Sequence, residues 1–190
     1  LGDTMTQTFK NIGIVGAGTM GGGIAMAFAN AGFAVTLVDA QQAALDRGMQ
    51  RIKGVYDDAV KRGKTDSAMA AQRLARISPT SSLADVAPCD FVVEAVFEDL
   101  QLKSRLAAQL GQVCGASTVL ASNTSSLDVN VLAAASFRPD RYIGMHFFSP
   151  AHIMRLVEVV RGRDTSEDTV ASTVELVRAL GKVPVVCGVC

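Results

Sequence analysis

Residues 12–29 read IGIVGAGTMGGGIAMAFA, a short apolar run that enters a glycine loop at Gly16 and leaves it as an alanine-rich segment. Gly16, Gly18 and Gly21 stand in the spacing G-x-G-x-x-G, between a strand predicted over 12–15 and a helix predicted over 19–30. That setting is what a dinucleotide fingerprint requires. The first glycine permits the turn, the second lets a pyrophosphate approach the backbone, and the third lets helix and strand pack closely. Thr19 and Met20 open the helix, whose N-terminus offers unpaired N–H groups and a partial positive charge to phosphates. The motif alone is weak, so the residues after it have to decide.

Asn30-Ala31-Gly32 supplies a helix stop, and a second strand is predicted over 33–38 with Asp39 at its carboxyl end. Asp39 lies eighteen residues beyond Gly21, close to the spacing of the carboxylate that binds the adenosine ribose hydroxyls. Its charge would repel a 2′-phosphate, which favours NAD over NADP; the bland alternative is a solvated acid at a strand end. Residues 41–76 read as a helical hairpin broken near Arg62-Gly63-Lys64, with eight Lys or Arg against four Asp. Such a basic protrusion suits a phosphate-bearing substrate, or is simply a solvated helical face.

Further strands are predicted from 77, over 90–96 and over 118–122, with a short helix or turn at 82–87 between the first two. A helix over 99–114 is expected to bury Leu100, Leu102, Leu106 and Leu110, and Asn123-Thr124-Ser125-Ser126 is expected to cap a helix over 127–135. This alternation predicts an α/β fold, a Rossmann-type doubly wound, mostly parallel sheet with a helical hairpin insertion and a C-terminal antiparallel strand pair. Ligands of such sheets bind beyond the carboxyl ends of the strands, where Asp39, Glu98 and Asn123-Thr124-Ser125 fall.

The antiparallel pair is predicted from two extended runs, 141–148 and 155–161, around Ser149-Pro150-Ala151-His152. If they fold back about position 152, His146 faces Glu158, with Cβ atoms roughly 5 Å apart. A carboxylate beside an imidazole orients the ring and stabilises the imidazolium, as a general base requires. The alternative for His146 is a satisfied core histidine. His152 reads as a turn residue, and Met145 and Met154 as core.

The 190 residues suit one domain, and eighteen basic and eighteen acidic side chains leave no net charge. That balance argues against nucleic-acid or membrane-surface binding. No apolar run is long enough for a membrane span, so a cytoplasmic protein is expected. Four cysteines lack a disulfide framework, and no metal site is expected; Cys187-x-x-Cys190 reads as part of a terminal strand rather than half of a zinc or redox site. A start without Met and a stop inside an apolar run read as a piece of a longer polypeptide.

Gly16-Ala17-Gly18-Thr19-Met20-Gly21, Val93-Glu94-Ala95-Val96, Ala121 to Leu127, and His146-Phe147-Phe148-Ser149-Pro150 through Val160 together resemble the NAD-binding domain of 3-hydroxyacyl-CoA dehydrogenases. The likeness runs from about residue 10 to the end. FFSPAH, where single-function members more often have FFNP, is similar to the dehydrogenase part of multifunctional enoyl-CoA hydratase and dehydrogenase proteins of fatty-acid β-oxidation.

The resemblance implies NAD as cofactor and an acyl-CoA as substrate. It makes His146 the base, Glu158 its partner, Ser125 a donor to the reacting oxygen and Asn123 a support. Glu98 and Lys103 would line the nicotinamide side. Coenzyme A would lie on the hairpin near Lys61 and Arg62, with Ser125 also meeting substrate; Val55 stands where the family tends to have a CoA-contacting serine. The resemblance also implies a C-terminal helical domain, oligomerisation and, for multifunctional members, an upstream hydratase. The alternatives are a β-hydroxyacid dehydrogenase, which relies on a catalytic lysine, and a non-catalytic NAD-binding module.

Overall fold

Asn11–Val15 (β1) and Thr19–Asn30 (α1) flank the glycine loop in a computed structural model that describes residues 3–189. The chain continues through Ala34–Val38 (β2), Gln42–Lys61 (α2), Ser67–Ala75 (α3), Ile77–Thr80 (β3), Phe91–Glu94 (β4), Leu100–Val113 (α4), Val119–Ser122 (β5) and Val129–Ala135 (α5). It ends with Tyr142–Phe147 (β6), Leu156–Arg161 (β7), Glu167–Ala179 (α6) and Val183–Gly188 (β8). Among the described residues the strands form one sheet in the order β3-β2-β1-β4-β5-β6-β7-β8. Strands β1 to β6 are parallel; β7 reverses against β6, and β8 runs parallel to β7. The first six reproduce the strand order of doubly wound dinucleotide-binding sheets.

Side-chain alternation along the strands builds two cores. Ile12 and Ile14, Val35 and Leu37, Phe91 and Val93 face α1, α2 and α6, where Ile24, Phe28, Leu45, Ile52 and Leu176 meet them. Val15, Val38, Val92 and Leu120 face α4 and α5, against Leu106, Leu110 and Leu132. Each fully buried side chain of this size contributes about 1.5–3 kcal/mol. Covering both faces is what a parallel sheet requires, and it explains why its strands read as nearly continuous apolar runs. No helix among the described residues is long and apolar enough to cross a membrane.

Several boundaries differ from expectation for identifiable reasons. Strand β4 stops at Glu94 rather than 96, because the Glu94 carboxylate turns back to accept from the Val96 N–H at 3.1 Å. Helix α5 begins at Val129 and is capped by Asp128, which accepts from the Asn130 N–H; Thr124 instead accepts from the Ser126 and Leu127 N–H groups, making a turn. The inward face of α4 is Lys103, Leu106, Ala107 and Leu110, while Leu100 is exposed. Helix α6 was not anticipated, although Ser166 caps it, Glu167 and Asp168 occupy its first turn, and Gly181 follows its end at φ +73°.

The glycine loop is fixed by close approach. Gly16 has φ +106°, and its N–H donates to Val38 O at 2.7 Å. A Cβ on Gly21 would stand 1.7 Å from the Gly16 carbonyl oxygen, a backbone atom that cannot yield. One on Gly22 would meet only the Ile52 side chain at 3.7 Å. Gly21→Ala is therefore expected to destabilise the fold by about 3 kcal/mol or more. Gly22→Ala, relieved of the glycine helix penalty, should stabilise it by about 0.5–1 kcal/mol. Urea unfolding of the two variants checks both signs.

Candidate active site

A cleft of about 1000 Å³ opens at the carboxyl ends of β1, β2 and β4, lined by Gly16, Gly18, Thr19, Asp39, Val96 and Phe97 among others. Asp39 accepts from the Ala17 N–H and the Gln41 N–H, both at 3.0 Å, and so holds the glycine loop to the end of β2. Gly18, the N-cap of α1, supplies no side-chain cap, and no acid occupies the first turn. A Cβ on Gly18 would meet nothing within 4 Å, so the loop leaves open space in front of the first-turn N–H groups. Uncapped donors at a helix N-terminus facing a cleft fit a pyrophosphate. Thr19 lines this space, whereas Met20 turns inward and packs on the core.

The carboxyl ends of β4 and β5 carry a buried polar cluster. Glu94 and Lys103, 1% and 0% exposed, pair at 2.7 Å. The second Glu94 oxygen accepts from the Ser122 hydroxyl, and Ser122 sits opposite Glu94 in the ladder. Tyr142 lies beside both; burial pushes its phenol far up, and the Glu94 charge adds to this. Glu98 stands 3.8 Å from the same ammonium and accepts from the Thr124 hydroxyl. Lys103, expected on the nicotinamide side, is thus beneath the surface, and Glu98 alone of the two is exposed. Sequence reasoning missed Glu94 as a site residue; a charge ending an otherwise apolar parallel strand was the available signal.

His146 and Glu158 face each other in the β6–β7 ladder, in the register that folding about position 152 predicts. His146 Nδ1 lies 3.7 Å from Glu158 Oε2, within ion-pair reach, and the His146 side chain is 20% exposed. Asn123 Oδ1 accepts from the Phe147 N–H at 2.9 Å, tying the end of β5 to the strand beside His146. Ser125 is exposed in the turn after β5. The sheet therefore gathers His146, Glu158 and Asn123 near the carboxyl ends of β5 and β6, with Ser125 two residues beyond Asn123. His152 lies in the turn after β6, as expected; its Nδ1 is buried without a hydrogen-bond partner, and it borders a small pocket with Gly22, Ile52 and Pro150.

The basic hairpin divides its charges. Arg51 donates to Ala17 O at 2.8 Å, and Arg76 donates to Ala29 O at 2.7 Å near the C-terminus of α1. These two serve the fold, while Arg47 and Arg51 also line the cleft. Lys61 and Arg62 are exposed at the end of α2 and do not line the cleft. Burial pushes the Cys89 and Cys114 thiols up, Cys114 to about 11, which keeps them unreactive. Cys187 lies in β8; Cys190 lies outside the described residues.

Residues 11–190 match the family profile described as 3-hydroxyacyl-CoA dehydrogenase, NAD binding domain. A probable 3-hydroxybutyryl-CoA dehydrogenase of Deinococcus radiodurans is 46% identical over 92% of this chain and 63% of its own length. A fatty acid oxidation complex subunit alpha of Pseudomonas savastanoi is 39% identical over 99% of this chain and 26% of its own. The chain thus spans less than two thirds of these curated relatives. Among solved structures, the (S)-3-hydroxybutyryl-CoA dehydrogenase PaaH1 of Ralstonia eutropha superposes with a TM-score of 0.94 at 41% identity, over 96% of this chain and 65% of that one. The dehydrogenase part of multifunctional enzyme 1 of C. elegans gives 0.88 at 31%, over 98% and 43%.

Burial, aided by the Lys182 ammonium, pushes His152 below its ordinary value of 6.5. The folded state then takes up this proton less readily than the unfolded one, so the contribution to stability is complete above pH 6.5 and is lost as pH falls through the folded value. His152→Asn should flatten the decline in stability below pH 6.5 relative to the unaltered chain. Urea midpoints measured for both between pH 5 and pH 8 provide the comparison.

Proposed function

The chain belongs to the 3-hydroxyacyl-CoA dehydrogenase family through its NAD-binding domain, and from that premise we propose that it serves NAD-dependent oxidation of L-3-hydroxyacyl-CoA to 3-oxoacyl-CoA in fatty-acid β-oxidation. The observation that carries the reading is the His146–Glu158 pair, set by ladder register near the carboxyl end of β6. Its relatives are named as 3-hydroxybutyryl-CoA dehydrogenases and fatty acid oxidation subunits, which supports the substrate class.

NAD, when bound, supplies the acceptor for the hydride leaving C3. The remaining work falls to the chain. The Glu158 carboxylate favours the imidazole tautomer with its hydrogen on Nδ1, which leaves Nε2 as the base for the 3-hydroxyl proton. As that proton transfers, His146 becomes an imidazolium, and Glu158 stabilises it. Asn123 holds the strand end beside His146, so the base keeps its position. Ser125 donates a hydrogen bond to the oxygen that becomes the ketone. Asp39 keeps lone pairs beyond its two backbone bonds, and these accept from the adenosine ribose hydroxyls.

Replacing His146 by Ala should lower kcat by about a hundredfold to ten-thousandfold. Loss of NADH absorbance with acetoacetyl-CoA, measured on the intact protein, reads this out, and an undiminished rate would refute the role. Asp39→Ala should narrow the preference for NAD over NADP, as read from the ratio of the two Kd values; an unchanged ratio would leave Asp39 as a purely structural tie for the glycine loop.

A further inference from the structure

The His146 ring meets two neighbours, and they act on it differently. Glu158 faces it in the β6–β7 ladder, with 3.7 Å between Nδ1 and Oε2. That separation lets opposite charges attract but exceeds a hydrogen bond, so the carboxylate alone does not fix which way the ring is turned. The second neighbour is aromatic: the His146 and Phe148 rings lie with centroids 4.5 Å apart and planes inclined at 48°. Two positions apart on an extended segment, both side chains leave the backbone on one face, while Phe147 between them is buried in the core near Phe28.

Phe148 leaves from an anchored stretch. The Phe147 N–H donates to Asn123 Oδ1 at 2.9 Å, and Pro150 O accepts from the Ile153 and Met154 N–H groups at 3.0 Å and 2.9 Å. Met154 O accepts from the Lys182 ammonium at 2.6 Å, and the Val183 N–H donates to Arg155 O at 2.8 Å. Ala151 is buried against α1, where a Cβ on Gly23 would stand 3.1 Å from its own. The turn after β6 is thus tied to the end of β5, to α1 and to the start of β8, and the Phe148 ring presses on the imidazole from a fixed base.

We infer that Phe148 is a positioning residue for the reaction: it holds the His146 ring with Nδ1 toward Glu158, which leaves Nε2 for the substrate hydroxyl. The inference rests on the reading of His146 as the base. A half-turn of the ring about its Cβ–Cγ bond exchanges Nδ1 with Cδ2 and Nε2 with Cε1, so the carboxylate would face a carbon and the basic nitrogen would leave the hydroxyl. An aromatic contact of this kind shifts an equilibrium between two ring orientations by roughly twofold to tenfold. Leucine offers apolar bulk without a flat face, and tyrosine keeps the face.

The test compares the unaltered chain with Phe148→Leu and Phe148→Tyr. His152 is the only other histidine, so His152→Asn assigns the imidazole signals. With the rings neutral, nitrogen NMR of histidine-labelled protein reports which ring nitrogen carries the hydrogen. The expected result is the Nδ1–H form of His146 in the unaltered chain and in Phe148→Tyr, and a mixture of both tautomers in Phe148→Leu. A nuclear Overhauser contact between the two rings of the unaltered chain is also expected, and its absence would overturn the inference without any variant. In acetoacetyl-CoA reduction by the intact protein, kcat of Phe148→Leu should fall by roughly twofold to tenfold, with Phe148→Tyr recovering most of the loss. The KM for acetoacetyl-CoA and the Kd for NADH should stay within about twofold, as an effect confined to the base requires. An unchanged tautomer in Phe148→Leu would overturn the positioning role, and so would a raised KM with kcat kept, which marks a substrate contact. Equal losses in kcat and NADH binding would mark a packing role and overturn it too. Undiminished turnover in His146→Ala would overturn the base itself, whatever the tautomer spectra show.

Discussion

Glu94 and Lys103 have both left water, and the meeting of their charges at 2.7 Å constrains everything around the site. Removing either ion from solvent costs several kcal/mol, so the pair persists only where its remaining hydrogen-bonding capacity is met. That requirement spreads through three elements. Strand β4 has to end at Glu94 so that the carboxylate can take the Val96 N–H. Strand β5 has to present Ser122 opposite it. Helix α4 has to start at the Asp99 cap, which brings Lys103 to the inward face one turn later. The turns carrying Glu98 and Asn123 leave from these fixed ends, and the cleft inherits its shape from them.

The reversal at the far side of the sheet has a comparable effect through topology. A parallel connection after β6 would return the chain at the opposite end of the sheet, far from His146. The short antiparallel return instead brings the next strand back over the same residues, and the two-residue period of a strand places Glu158 on the face His146 occupies. A slip of one residue would put the carboxylate on the other face. Helix α6 then makes β8 parallel to β7, which extends the sheet without disturbing that pairing.

The sequence made the doubly wound sheet legible because strand alternation, glycine spacing and helix stops are local signals that tertiary packing reinforces. The His146–Glu158 register was equally legible, since it follows from a turn centre and a period of two. The burial of Lys103 was hidden by its type: reading α4 for apolar periodicity selects leucines, yet the ammonium occupies a core position because a carboxylate waits there. Helix α6 was hidden by hydroxyls. Its inward face includes Thr169, Ser172 and Thr173, which are buried because Thr169 donates to Asp140 O, Thr173 donates to Thr169 O, and Ser172 accepts from the Gln7 N–H. Such a face has no strong hydropathy pattern until its partners are known. The unpartnered Nδ1 of His152 likewise depends on how the β6–β7 connection packs, which no spacing in the chain encodes.

The contact between Gly21 and the Gly16 carbonyl separates two meanings of the glycine motif. The third glycine answers to the backbone of its own loop, with no ligand involved. A lineage that lost its cofactor while keeping this fold would still be held to glycine there, whereas Gly18, which faces open space, would be free to drift. Among distant copies of this architecture, variation at the second glycine is therefore a sensitive record of abandoned binding, and constancy of the third records only that the strand and helix still meet.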